Sequence, residues 1–202
     1  KSFVINGDSA DKVIVSARID GEINDKKGVG LFLVDNNQIK NRSYNTIDGY
    51  RAAELNFENI EAELLCKNDL ALECIIKANS AGALALSAEA IGIMQVCFEL
   101  TLDYLKTRKQ FGKSIGAFQS IQHRMVDMML EIEQVRSAVM LASSTFENNS
   151  STRDKNVSAA KNLVGRVGKL IAEESIQLHG GIAMTWEYSV AHYAKRLIMI
   201  DH

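Results

Sequence analysis

At Asp69 the spacing of apolar residues along this chain changes, and that change limits what it can fold into. Upstream, short β-branched runs alternate with turn signals; downstream, apolar residues recur every three or four positions almost to the end. A period near two buries one face of a strand, a period near 3.6 buries one stripe of a helix, and neither pattern suits the other geometry. The chain is therefore expected to be α+β and mostly α. A partial β-barrel or sheet domain would occupy residues 1–66, and a four-helix up-and-down bundle residues 67–202. At 202 residues, 47% hydrophobic, it has enough apolar surface for one or two cores.

In the first part, Val13-Ile14-Val15 and Val29 to Val34 read as strands bounded by Gly21 and Gly28. Asp35-Asn36-Asn37 reads as a turn, and Ala53 to Ile60 alternates as a half-buried strand does. In the second part the first helix is expected from Asp69 to about Thr107, carrying Leu72, Ile76, Ala83, Leu86, Ala90 and Met94. A second is expected from Phe118 to Phe146, its stripe including Ile121, Met125, Met128, Met129 and Ile132. At that spacing the methionines read as core before they read as a plastic binding surface. Asn148 to Arg153 reads as a polar loop, Lys155 to His179 as a third helix, and Tyr188 to the end as a fourth. Short connections between such helices favour antiparallel neighbours in a bundle.

Charge and cysteine content exclude several functions. A net charge of -2 with interspersed signs gives no basic face for nucleic acid. No uninterrupted apolar run approaches the ~20 residues of a membrane span, and the opening residues do not read as a signal peptide. Cys66, Cys74 and Cys97 lack CxxC spacing and read as reduced core thiols of a cytoplasmic or organelle-matrix protein. His123, His179 and His192 have no metal-ligand spacing, so no metal is expected. Glu54, Glu58 and Glu61 read as a solvated edge. The sequence opens without Met, straight into strand-like residues, which is expected of an internal piece of a longer protein.

Two interruptions of the helical pattern carry the chemistry. The first is Arg108-Lys109-Gln110-Phe111-Gly112-Lys113, followed by Gln119. A basic pair at a helix C-terminus can simply satisfy the last carbonyls and the dipole. Alternatively Arg108, with its planar fork, grips a phosphate while Phe111 lies against an adenine. In either reading Phe111-Gly112 marks the chain's exit from the first helix. The second interruption is Gln177-Leu178-His179-Gly180-Gly181, where one glycine serves as an αL cap. Two adjacent glycines exceed what a cap needs and allow close approach by a ligand, with Gln177 as an added donor. The GxGxxG fingerprint of dinucleotide-binding βαβ units is absent.

Taken together, Tyr104 through Lys113 with Gln119, then Gln177 through Thr185, resemble the acyl-CoA dehydrogenase family. So does the strand text from Val4 to Val34, and the resemblance runs in order over essentially the whole chain. It implies an FAD-dependent α,β-dehydrogenation of an acyl-CoA, with electrons passed to an electron-transfer flavoprotein. It implies that Arg108 holds the flavin pyrophosphate, that Phe111 contacts the adenine, and that Gln119 belongs to the same turn. Gln177, Gly180 and Gly181 would complete the ADP site, serving the FAD of a neighbouring subunit in a homo- or hetero-oligomeric dimer of dimers. The family's N-terminal helical domain has no counterpart in these residues. The stretch Gly180 to Tyr188 and the ending Lys195 to His202 are similar to the small subunits of pimeloyl-CoA-type members.

At some positions this sequence departs from the family's pattern. By motif alignment the usual base falls about two residues beyond His202, leaving Asp201 as the nearest carboxylate and the candidate catalytic residue. Another branch carries its base near Gly82, which cannot serve; Glu89 lies two turns on. Ile5 stands where a threonine commonly faces the flavin, and Ala83 where an arginine is common. These departures leave a second expectation open, a non-catalytic partner that completes the FAD site of a catalytic large subunit. A third is an oxidase-like protein using oxygen directly. In each case these 202 residues alone are expected to be inactive, because half the cofactor site lies elsewhere.

Overall fold

Six short strands, all antiparallel, form two three-stranded sheets in the first part of the chain. They are β1 (Val4–Ile5), β2 (Lys12–Arg18), β3 (Val29–Asp35), β4 (Lys40–Asn45), β5 (Arg51–Asn56) and β6 (Glu63–Lys67). The sheet orders are β1-β5-β4 and β2-β3-β6, and neither closes into a barrel among the described residues. The computed structural model describes residues 1–201. By contacts the chain divides into units Lys1–Asn79 and Ser80–His202. The first unit thus runs past the step from strand to helical periodicity.

Val15, Val34, Ala53 and Leu55, at strand positions the pleat turns inward, form the core of the first unit together with Ile39 from the turn before β4. Two strands differ from expectation. β4 is exposed along its whole length and shows no apolar alternation. It exists because it pairs with β5 from Lys40↔Asn56 to Asn45↔Arg51. β5 itself stops at Asn56, short of Ile60, and Asn59 then takes a positive φ of 50°.

The helices are α1 (Asp69–Thr107), α2 (Gln119–Ser144), α3 (Ser150–His179) and α4 (Ser189–Asp201). α3 begins inside the expected polar loop because Asn149 caps it, its side-chain oxygen accepting from the Thr152 N–H at 3.0 Å. Pairwise contacts give the up-and-down course. On α1 and α3, Met94 lies beside Gly168 and Tyr104 stacks on His179, so these helices run parallel. Across α2 and α3, Arg124 meets Glu174 at 2.7 Å while Arg166 meets Glu131, so they run antiparallel. Gly168 also lets Leu197 of α4 approach α3 closely. One continuous core joins Met94, Met128, Ile132, Val135, Val164, Ile171, Val190 and Leu197.

An 18-residue window of α1 reaches a mean hydropathy of 1.6, long and apolar enough by length and composition to cross a membrane, with 22% of it buried. Serine, glycine and glutamate break its runs, while Ala, Ile, Leu and Cys keep its mean high. One expectation is corrected here, that of three core thiols: only Cys97 is buried, while Cys66 is half-buried and Cys74 exposed.

Candidate functional site

Tyr104 and His179 hold together the helix ends that carry the two sequence interruptions. Their rings stack with centroids 4.6 Å apart, and Tyr188 closes on the imidazole edge-on at 5.1 Å. His179 is 4% exposed. Its Nδ1 lies 2.8 Å from the Ser175 carbonyl, which places the proton on Nδ1, and Nε2 is buried without a partner in hydrogen-bond geometry. Burial lowers the imidazole pKa, against the Ser175 and Leu100 carbonyls that support the charged form. The Tyr188 hydroxyl is raised, by burial first and by Tyr104 second.

One turn beyond Tyr104 the chain leaves α1, with the Arg108 N–H bonded to the Tyr104 carbonyl at 2.8 Å. The exit is more than a frayed helix end. β7 (Lys109–Gln110) and β8 (Lys113–Ser114) pair as a hairpin, Lys109↔Ser114 and Gln110↔Lys113, with Phe111 and Gly112 as its two-residue tip. Both tip residues have positive φ, 53° and 81°, as a type I′ turn demands. For a bulky side chain this conformation costs roughly 1–2 kcal/mol. The strained ring is 89% exposed and touches Phe118 edge-on at 6.2 Å. Lys113 also lies over Phe118, its Nζ 4.1 Å from the ring centre. Phe118 directly precedes α2, so Phe111 and Gln119 share one neighbourhood. Gly116 keeps this loop close to α1, since a Cβ there would meet the Leu105 carbonyl oxygen at 2.9 Å.

At the end of α3, Gly180 adopts φ 70°, ψ -148°, a glycine-only region distinct from the αL cap its position suggests. The chain then continues as a 3-10 turn, Gly180–Met184. Space beside Gly180 and Gly181 is open, with no atom within 4 Å of a Cβ at either. Among the described residues Arg108, Gln119 and Gln177 are exposed and have no side-chain partner. Unpaired donors, an exposed ring and open space beside the diglycine thus lie at one end of the bundle. That arrangement suits an anion joined to a flat aromatic group.

Asp201 is elsewhere. It ends α4, half-exposed, with Oδ1 3.9 Å from Lys161 Nζ and its carboxylate against Gly165. Gly165 is about 20 Å along α3 from the diglycine. Glu89 is gripped by Arg196 through two bonds of 2.6 and 3.0 Å. Ile5 in β1 is exposed, and the space beside Gly82 is open. Among the described residues no group of three or more His, Cys, Asp or Glu could hold a metal. Sequence reading gave His179 only a general place beside the diglycine. Tyr104 and Tyr188 entered only as ends of motif stretches, because their meeting with His179 depends on the fold.

An antiparallel β unit leading into an up-and-down bundle, with a donor-rich face at the ends of its first and third helices, defines the class structurally. Residues 72–199 match the C-terminal domain of acyl-CoA dehydrogenases. The chain belongs to the acyl-CoA dehydrogenase family, whose members are flavin-dependent oxidoreductases. It is 40% identical over 114 residues to acyl-CoA dehydrogenase IpdE2 of Mycobacterium tuberculosis, a match covering 56% of this chain and 34% of that protein. It is 30% identical over 203 residues to the mitochondrial short/branched chain specific acyl-CoA dehydrogenase of Rattus norvegicus, covering 96% and 46%. A solved variant of the Tcur3481–Tcur3483 steroid ACAD superposes with a TM-score of 0.84 at 28% identity, covering 99% of this chain and 53% of that one. The chain thus spans between a third and a half of the length of these curated relatives.

Proposed function

We propose that this protein is a subunit of an FAD-dependent acyl-CoA dehydrogenase that introduces the α,β double bond into an acyl-CoA thioester. The observation that carries the reading is the gathering of Arg108, Phe111, Gln119, Gln177 and the diglycine around the Tyr104–His179 stack. These residues fit the ADP half of FAD. Arg108 presents a free guanidinium to the pyrophosphate, Gly180 and Gly181 let it approach the backbone, and Gln177 adds carboxamide donors. Phe111 offers its exposed face to the adenine, and Gln119 borders it. When bound, FAD would supply the acceptor for the β-hydride and the route for electrons to an electron-transfer flavoprotein. Asp201 is the candidate base for the α-proton, its Oδ1 3.9 Å from Lys161 Nζ. The assembly is a dimer of dimers in which this face completes a neighbour's cofactor site, in the cytoplasm or an organelle matrix.

A second reading, the non-catalytic partner, is favoured by Ile5. Its side chain supplies no hydroxyl where the family pattern places a flavin contact. The steroid ACAD neighbour is itself named for two components, Tcur3481 and Tcur3483. The visible spectrum of the full-length protein separates the two readings. A flavin band from the protein alone, bleached by an acyl-CoA, makes it a self-sufficient dehydrogenase; a band seen only on co-expression with a large subunit makes it a partner. In either state Arg108→Ala is expected to weaken flavin retention at least about tenfold. No flavin under both conditions, or retention indifferent to Arg108, would sink the proposal.

A further inference from the structure

A cleft of about 440 Å³ lies between the C-terminal part of α1 and the first half of α2. The two helices run antiparallel and are joined by the β7–β8 hairpin and a 3-10 turn, Ile115–Ala117, so one end of the cleft lies at the join and the other deep along the helices. Away from the join its walls are apolar: Phe98 and Leu102 of α1 face Met125, Val126 and Met129 of α2. Each of the pairs 98–102 and 125–129 is one helical turn apart, which sets its members on one face. Val126 is 49% and Met129 46% exposed, so these walls are open to solvent. At the join the lining changes to Lys106, Ser114 and Gln122. Gln122 Nε2 donates to the Gly116 carbonyl at 3.0 Å and ties α2 to the turn. Neither the Lys106 ammonium nor the Ser114 hydroxyl has a partner among the described residues. Arg108, Lys109 and Lys113 follow closely in the chain, and among the described residues no carboxylate pairs with any of these cations.

We propose that this cleft binds an amphiphilic anion, an apolar chain ending in a carboxylate. The chain lies along Phe98, Leu102, Val126 and Met129, and the carboxylate meets Lys106 and Ser114. The sorting of polarity along the cleft carries the inference. Burial of apolar surface drives the chain inward but has no direction of its own. An unpaired ammonium and a free hydroxyl at one end supply that direction, because charge-assisted hydrogen bonds hold a carboxylate there and nowhere else along the walls. The flexible lysine stem suits a single small anion at the mouth of an apolar slot. The volume is also in the range of clefts that take up small molecules. A neutral chain would leave the cation unanswered, and a cationic one would meet repulsion from Lys106 and the hairpin. Neither Lys106, Ser114 nor any wall residue is among those assigned to the cofactor, so the site stands apart from the flavin reading.

Titration of the full-length protein with decanoate, kept below its micelle concentration, while the methionine methyl groups are followed by NMR, tests this. The Met125 and Met129 signals should shift and saturate together, while Met140, beside a separate apolar groove, and the exposed Met184 stay in place. Decanol, the same chain without the charge, should bind more weakly. Lys106→Gln should weaken decanoate about tenfold and leave decanol unchanged. No saturable shift at Met125 and Met129, or shifts at Met140 alone, would overturn the proposal. So would equal binding of decanoate and decanol that ignores Lys106, since the cleft would then take any apolar chain. Signals that follow protein concentration and ignore decanoate would mean that a second copy covers the cleft, which overturns it as well. Lys106 is exposed, and the wild-type titration with its decanol control decides even if the variant folds poorly.

Discussion

Burial of His179 between Tyr104 and Tyr188 makes the scaffold of the site sensitive to pH. The folded imidazole has a lowered pKa, burial outweighing the Ser175 and Leu100 carbonyls. As pH falls through the unfolded-state value of about 6.5, the unfolded chain binds a proton that the folded chain does not. Stability is therefore fully present above about pH 6.5 and declines below it, levelling off once the folded-state value is passed. His179→Phe keeps an aromatic ring against Tyr104 and removes the titration. Its unfolding free energy, from urea melts at a series of pH values, should fall less steeply below about pH 6.5 than that of the wild type. Equal slopes would show that His179 titrates alike in both states.

The β7–β8 hairpin sets local stability against ligand contact. A type I′ turn favours Asn-Gly, and Phe111 occupies the asparagine position with φ 53°. Phe111→Asn should relieve about 1 kcal/mol of backbone strain, since little of the 89% exposed ring is buried to be lost. The expected result is a melting temperature unchanged or raised together with weaker flavin retention. A lowered melting temperature would mean that the ring's contact with Phe118 outweighs the strain. This hairpin also shows what sequence reading cannot reach, because phenylalanine hides the turn that asparagine would have announced. α1 was legible from Asp69 to Thr107, since its apolar stripe spans it. The start of α3 was not, because Asn149-Ser150-Ser151-Thr152 is polar whether it loops or caps a helix. β4, exposed throughout, leaves no apolar trace. Arg108, Gln177 and the diglycine were legible as interruptions of a period. The Tyr104–His179 stack was not, since it arises only when separate elements meet.

For the molecule as a whole, the balance of covered and uncovered apolar surface decides what state the chain can adopt. α1 is about 58 Å long at ~1.5 Å per residue. Ala90, Met94, Cys97 and Leu105 reach the bundle core, yet 22% of its most apolar window is buried. Ala81, Leu84, Ala85 and Ala88 line an open apolar groove against α2, whose Met140 is 66% exposed. Contiguous apolar surface of this kind costs roughly 25 cal/mol per Å² to leave in water, which favours covering it with another protein surface. A net charge of only -2 offers little repulsion against association. The 202-residue chain is therefore expected to sediment above its 22.3 kDa monomer mass, increasingly so with concentration. Met140→Glu, a charge placed in the groove wall, should shift that distribution toward the monomer. A monomer at every concentration would show that this groove tolerates water, and the proposed dimer of dimers would then have to assemble through another face.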